Sequence, residues 1–257
     1  MNTKKIENKQ VHLIAHRGLS GLEPENSIPA FVAAGNRSYY GIETDIHVTK
    51  DGKFIVTHDD QTGRVAPDSI SVEEISFGFA RKLRLRNICR MEIESGAVVE
   101  SVPAREDLLL PSLKEYIQIC KKYEKKAVLE LKNQFEPENI QRLIAEIEEC
   151  KYLEETIFIS FCFENMVSLR KMLPNQELQF LTKFYEPEIL DKLNQYNLEL
   201  DIKHIALTKE LVDEIHDNGH KVNCWTVDNP DDAERLIEWG VDLITTNMLE
   251  GAVRNYE

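Results

Sequence analysis

Cysteine pairs are missing from this sequence. Its five cysteines (Cys89, Cys120, Cys150, Cys162 and Cys224) are odd in number, widely scattered and without a CxxC spacing, which argues against a disulfide framework or a structural zinc site. A long apolar run is missing too. The opening MNTKKIENKQ is charged and polar, and the run VHLIA that follows is about five residues, far short of a signal-peptide core or a membrane span. A cytoplasmic protein without stable membrane association is therefore expected. Positive charge is scarce: 31 lysines and arginines face 45 aspartates and glutamates, leaving a net charge of -14. Such a field repels nucleic acid and anionic membrane surfaces over a Debye length of about 8 to 10 Å. A small phosphorylated substrate is still allowed where a metal ion or local cations reverse the field inside a site.

No repeat, low-complexity tract or flexible linker interrupts the chain, and 42% hydrophobic with 30% charged residues is the balance of a globule. Eight short aliphatic or β-branched runs recur along it: VHLIA, GIETDIHV, AVLELK, TIFISF, LQFLTK, LELDI, KVNCWTV and VDLITT. Helix-like segments lie between them, among them 27–35, 111–123, 137–150, 164–173, 208–218 and 229–240. Ser27 and Asn229 are placed to cap helix starts, and Gly35, Gly219 and Gly240 to stop them. Strands alternating with helices imply a parallel sheet. Eight units over 257 residues suit a closed barrel, and the GxGxxG that an open dinucleotide-binding sheet wants after its first strand is not supplied by HRGLSG. The expectation is an α/β fold, a (β/α)8 TIM barrel in one domain over residues 1–257, with a small insertion after the second strand over about residues 62–110. That insertion holds a basic patch, Arg81, Lys82, Arg84, Arg86 and Arg90, which reads either as a solvated face or as one face of a short helix gripping an anionic substrate.

Strands of a parallel barrel are buried on both faces, so a charge inside one is costly unless it is paired or metal-bound. In GIETDIHV, Glu43 and Asp45 stand at i and i+2, on one face and about 7 Å apart along the strand. They read as a salt-bridged pair or as ligands to a hard divalent cation. Glu130, mid-strand in AVLELK, adds a third carboxylate, and Lys132 shares its face. Three carboxylates in one lumen repel unless some protonate or a cation sits among them; Lys132 balances one at most, or contacts a phosphate. His47, two residues past Asp45, is a fourth ligand, a neighbour behind the ligands, or a surface side chain. His16 closes VHLIA and His58 closes KFIVT, expected at the same end of adjacent strands, where they offer a proton acceptor and a proton donor across one bond. Arg17 beside His16 suits a bidentate grip on phosphate. Trp225 ends KVNCWTV, as a pocket wall or a barrel plug.

Together, HRGLSGLEPENSIPAF, GIETDIHVTKDGKFIVTHDD, LELK and NCWTVDN resemble the glycerophosphodiester phosphodiesterase family, in order along nearly the whole chain. The resemblance implies a (β/α)8 barrel with a small insertion after the second strand. It implies Glu43, Asp45 and Glu130 as ligands to a divalent metal ion, Mg2+ or Ca2+, and His16 and His58 as general acid and base. Arg17 and Lys132 become phosphate contacts, Asn26 of PENS the polar residue beside the metal, and Trp225 the pocket aromatic. The implied partner is a small-molecule glycerophosphodiester, cleaved to glycerol 3-phosphate and an alcohol. Two departures bear on leaving-group specificity: the family's Thr-Asp and following proline after strand eight become Thr246, Asn247, Met248 and Leu249, and the loop after His58 reads QTGRV. Two further readings are a lysophospholipase D-like phosphodiesterase on the same barrel and a phosphodiester-binding barrel without turnover. The acidic surface weighs against the first, and the complete set of carboxylates and histidines against the second.

Overall fold

The structure, a computed structural model, describes residues 2–7, 11–94 and 105–252. The strands are β1 (Lys4–Ile6), β2 (His12–Ala15), β3 (Gly41–Val48), β4 (Phe54–Val56), β5 (Lys126–Leu131), β6 (Thr156–Ser160), β7 (Leu178–Thr182), β8 (Glu199–Lys203), β9 (Val222–Trp225), β10 (Leu243–Thr246) and β11 (Leu249–Gly251). The helices are α1 (Ile28–Gly35), α2 (Phe77–Ala80), α3 (Arg90–Glu94), α4 (Leu113–Lys122), α5 (Pro137–Glu149), α6 (Phe163–Met172), α7 (Pro187–Tyr196), α8 (Lys209–Asp217) and α9 (Pro230–Glu238). All the barrel strands, β2, β3 and β5 to β10, are parallel to their neighbours, and β2 pairs with both β10 and β3, which closes the cylinder. The expected TIM barrel is therefore the fold. Among the described residues, no helix is long and apolar enough to cross a membrane.

Local chemistry explains the boundaries. The Ser27 hydroxyl accepts from the Ala30 N–H at the start of α1, and Asn229 caps α9 through the Asp231 N–H. Ser112 and Glu115 form a reciprocal capping box on α4. Gly219 and Gly240 take φ of +86° and +89° just past α8 and α9, the left-handed stop that favours glycine. Gly35 was expected to act likewise, but it is the last residue of α1 and its need is space: a Cβ there would run into the Tyr123 ring. One core lies between strands and helices, with Phe31, Tyr116, Leu129 and Leu143. A second fills the lumen, with Ile14, Val128, Ile157, Ile159, Leu181 and Leu243. Burial on both strand faces is why these strands read as continuous apolar runs.

Two expectations need correction, and two features come in addition. KFIVT does not form a barrel strand: β4 pairs antiparallel with β3, Ile46 opposite Val56, so His58 is delivered by a short flap on β3 and not by a strand adjacent to β2. Only residues 49–53 join the two strands, with Gly52 at φ +71° in the turn, and a link that short allows antiparallel pairing alone. The basic patch is not one helix face either, because Arg81 follows α2 and is bound to the Leu110 carbonyl and Glu115, Arg84 holds the Glu106 carbonyl, and Arg90 opens α3. These cations fasten the excursion after β4, whose own apolar cluster contains Ile55, Val72, Ala80, Leu85, Leu108 and Leu110. Of the insertion expected over about 62–110, residues 95–104 lie outside the described residues. A helix not singled out in the sequence, α7, stands between β7 and β8. Finally, β1 pairs with β11, an additional two-stranded ribbon.

Candidate active site

The C-terminal ends of β2, β3 and β5 collect the charged residues. Asp45 and Glu130 are register partners on neighbouring strands, side by side at about 4.8 Å backbone spacing. With Glu43 they present one carboxylate oxygen each, all within 4.8 Å of one another, and all three side chains are buried. Lys132, just past β5, donates to Glu130 at 2.7 Å and lies 3.3 Å from Asp45. Arg17 gives its backbone N–H to Glu43 at 2.7 Å, sends Nη1 to Glu25 at 2.7 Å and lies with Nε 3.4 Å from Asp45. Asn26 donates to Asp45 at 2.8 Å and is itself held by the Thr44 hydroxyl at 2.7 Å.

The backbone is bent to make this possible. Arg17 and Asn26 have φ of +55° and +50°, a region that asparagine tolerates and arginine ordinarily avoids. Gly18, at φ +76°, passes so near α1 that a Cβ would lie 2.7 Å from Ala30. Hence the glycine in HRG: it turns the chain immediately after the residues that enter the site.

Burial, then Asp45, pushes the Glu43 carboxyl well above its ordinary range, and burial and Asp45 likewise push Glu130 up to about 8. Asp45 goes the other way: burial opposes its charge, but Lys132, Arg17, His58 and Asn26 outweigh it and hold the carboxylate ionised. Among the described residues Glu43 Oε1 is buried without a hydrogen-bond partner, and Asp45 Oδ1 has only the ion pair with Lys132. Convergent buried carboxylates, one of them with an unmet oxygen, fit a hard divalent cation.

The two histidines face this cluster from opposite supports. His16 Nδ1 is 2.8 Å from Asn247 Oδ1, which also accepts from Ser20, while the Asn247 amide nitrogen donates to the Asp228 carboxylate. That carboxylate can only accept, so it fixes the amide, and the amide oxygen requires the hydrogen of His16 to sit on Nδ1. Burial, then Arg17 and Arg90, lowers the His16 pKa well below its ordinary value, so its Nε2 carries a free lone pair. His58 Nδ1 is 2.6 Å from Asp59, whose carboxylate is held below the usual range by His58 and Arg64 against the cost of burial. Arg64 joins Asp59 at 2.6 Å to Glu25 at 2.7 Å, and so links the His58 side to the Arg17 side. His47 does not join the ligands: it is buried behind them, bridging Glu73 and the His58 carbonyl.

Of these groups His16, Arg17, Glu43, His58 and Glu130 line one pocket, with Ile159, Phe161, Leu181, Asp201, Trp225 and Thr245. Wider grooves, of about 470 and 560 Å³, lie beside Lys126 and beside Arg142, but the convergent ionisable groups are here, at the barrel end where such folds place their chemistry. Lys132 meets Glu130 and Asp45, Asn26 meets Asp45, and Trp225 lines the pocket. Glu25, Asp59, Arg64, Asn247 and Asp201 were not singled out. PENS and HDD flagged the neighbourhood of the first two, and mid-strand burial could have flagged Asp201.

Comparison with known proteins points the same way. The model of the glycerophosphoryl diester phosphodiesterase family matches residues 16–250. A glycerophosphodiester phosphodiesterase of Caldanaerobacter subterraneus is 30% identical over 240 residues, covering 91% of this chain and 93% of the relative. A crystal structure of a glycerophosphodiester phosphodiesterase from Parabacteroides distasonis superposes with a TM-score of 0.74 at 26% identity, covering 93% of this chain and 94% of the other. A phosphodiesterase of Oleispira antarctica, solved in complex with the product sn-glycerol-3-phosphate, shares the fold with a TM-score of 0.79 at 21% identity and 93% coverage of both chains.

Proposed function

The chain belongs to the glycerophosphoryl diester phosphodiesterase family, and from that premise we propose that it hydrolyses glycerophosphodiesters to glycerol 3-phosphate and an alcohol at this site. The observation that carries the reading is the cluster of Glu43, Asp45 and Glu130, with oxygens within 4.8 Å, set between two histidines whose rings are oriented by Asn247 and Asp59. Glu43, Asp45 and Glu130 would hold a divalent cation, magnesium or calcium, which supplies Lewis-acid chemistry by withdrawing charge from a phosphoryl oxygen.

The chain's own residues do the rest. Arg17 and Lys132, which flank Asp45, bind the phosphoryl oxygens and stabilise charge as it develops there. His16 Nε2 takes the proton from the attacking hydroxyl, either of water or of the neighbouring glycerol carbon. A new O–P bond forms, the P–O bond to the alcohol breaks, and His58 Nε2 gives the leaving oxygen its proton; where the glycerol hydroxyl attacks, water then opens the cyclic phosphate, giving its proton to His58 while His16 returns one to the departing glycerol oxygen. Asp59 accepts from His58 Nδ1 and orients the ring for that transfer. The excursion after β4 is read as an insertion in a single barrel domain, its contribution being Asp59 and Arg64.

The test is direct. Purified protein stripped of metal by a chelator is given glycerophosphocholine and glycerophosphoethanolamine with magnesium, calcium or manganese, and glycerol 3-phosphate is assayed beside His16→Ala. Metal-dependent release that vanishes in the variant is expected; no release with any metal from folded, ion-binding protein would overturn the reading. One observation favours a lysophospholipase D-like alternative: the exposed Phe161, Phe184 and Ile205 follow β6, β7 and β8 at 38%, 70% and 67% exposure, around the mouth. Preference for lysophosphatidylcholine over glycerophosphocholine would select it.

A further inference from the structure

Asp201 is the one carboxylic acid lining the pocket that the chemistry above leaves unused. It stands on β8 between its register partners Leu181 and Asn223 and is 1% exposed. Its Oδ1 has no hydrogen-bond partner among the described residues, and neither does the indole Nε1 of Trp225 at the end of the next strand. The rest of this wall is apolar, formed by Ile159, Phe161 and Leu181. A buried polar atom left unmet is costly, and folds keep one where a ligand completes it. Two such atoms of complementary kind share one wall.

On the hydrolytic reading, a phosphodiester held between His16 and His58 must lay one of its arms against this wall. We propose that Asp201 is a specificity-determining residue that receives the terminal hydroxyl of the substrate's glycerol arm, the hydroxyl donating to the carboxyl and accepting from the Trp225 indole N–H. A hydroxyl does both at once. An ammonium only donates, and would leave the indole unmet. The whole pocket between this wall and the charged groups offers about 60 Å³, on the order of four water-sized positions, too little to take in an acyl chain. Burial, then Glu130, biases the carboxyl toward its neutral form, which suits an uncharged partner.

The experiment compares glycerophosphocholine with the analogue in which propane-1,2-diol replaces glycerol, so that only the terminal hydroxyl is lost. Wild type is expected to prefer the glycerol compound by roughly 10- to 100-fold in kcat/KM, the penalty for leaving buried polar atoms unpaired. In Asp201→Leu the preference falls to within a few-fold. Asp201→Asn, which keeps the volume and a hydrogen-bonding end, retains the larger part of it and shows that loss of fold is not the cause. An Asp201→Leu enzyme that keeps the full preference, or is slowed equally on both compounds, overturns the assignment. Because the proposal rests on the hydrolytic reading, calorimetry on metal-loaded protein measures glycerol 3-phosphate against propane-1,2-diol 1-phosphate in parallel. If wild type turns over neither diester, hydrolysis fails, and the binding ratio alone decides Asp201: a preference lost in Asp201→Leu upholds it, while equal binding or none of either ligand overturns it.

Discussion

The two sides of the barrel mouth are built on opposite plans. On the side of β2, β3 and β5, charges are interlocked: Arg64 ties Asp59 to Glu25, Glu25 ties to Arg17, and Arg17 and Lys132 flank Asp45. On the side of β6 to β9, the wall is apolar and its polar atoms, Asp201 Oδ1 and Trp225 Nε1, stand alone. The first side is suited to charge that moves during a reaction, because each ion is already oriented and little has to reorganise. The second is suited to discrimination, since unmet groups in an apolar wall reward the ligand that completes them and penalise the one that does not. If the contrast is real, damage on the first side should remove rate, and damage on the second should remove selectivity.

The largest effect should come from Asp45. Replacing it with alanine deletes a ligand and leaves Arg17 and Lys132 without the anion that both approach, so kcat/KM for glycerophosphocholine should fall by roughly 10^4-fold, with magnesium affinity lost in calorimetry. Retained ion binding would mean that Glu43 and Glu130 suffice and that the interlocking is not about the cation. His16→Ala should come next, lowering kcat by about 10^2- to 10^3-fold while leaving metal affinity within two- to three-fold. A variant that loses both together would break the separation of proton transfer from ion binding.

The same contrast explains what was legible in the sequence. Glu43, Asp45 and Glu130 could be read because a charge within an apolar strand demands a reason, and three of them together supply one. Asp201 carries the identical local signal in LELDI, but it is single, and nothing nearby in sequence tells what completes it. The barrel was legible because strands buried on both faces are continuous runs. The direction of β4 was legible as well, since residues 49–53 between β3 and β4 are too few for a parallel crossover. Glu25–Arg64 and His16–Asn247 join residues 39 and 231 positions apart, and a side chain's distant partner leaves no trace in the local pattern. For that reason the sequence named both histidines without the partners behind their rings, Asn247 for His16 and Asp59 for His58.

A smaller effect tests the charged side without turnover. Glu130 rises from an ordinary value of 4.5 to about 8 through burial, then Asp45. A group whose pKa is higher in the folded than in the unfolded chain gives stability below the unfolded value and loses it as pH rises through the folded one. With chelator present, the melting temperature should therefore decline between about pH 5 and pH 8. Saturating magnesium should flatten that decline, because a bound cation takes the place of the proton, and binding at pH 6 should release protons to the buffer. A decline of the same size with and without metal would show that the cluster does not hold the ion.

The smallest effect separates the two sides most sharply, because its sign is opposite. Asp201 is buried in apolar surroundings, which raises its carboxyl well above the ordinary value of 3.8. In the unfolded chain it ionises near that value, so above about pH 4 folding forces a proton onto it or buries its charge, and either is unfavourable. Leucine has the same branched outline, fills the site with two methyl groups in place of the oxygens, and carries no such cost. Asp201→Leu should stabilise the metal-loaded, substrate-free protein by about 1–2 kcal/mol, raising the melting temperature by roughly 2–6 °C. The gain should grow from pH 4 to pH 8, since the penalty it removes grows over that range. Alanine at Asp45, by contrast, strands two cations and should destabilise. A leucine variant that melts lower than wild type would mean that Asp201 already has a partner that holds the barrel together, and the recognition side would then be structural like the other.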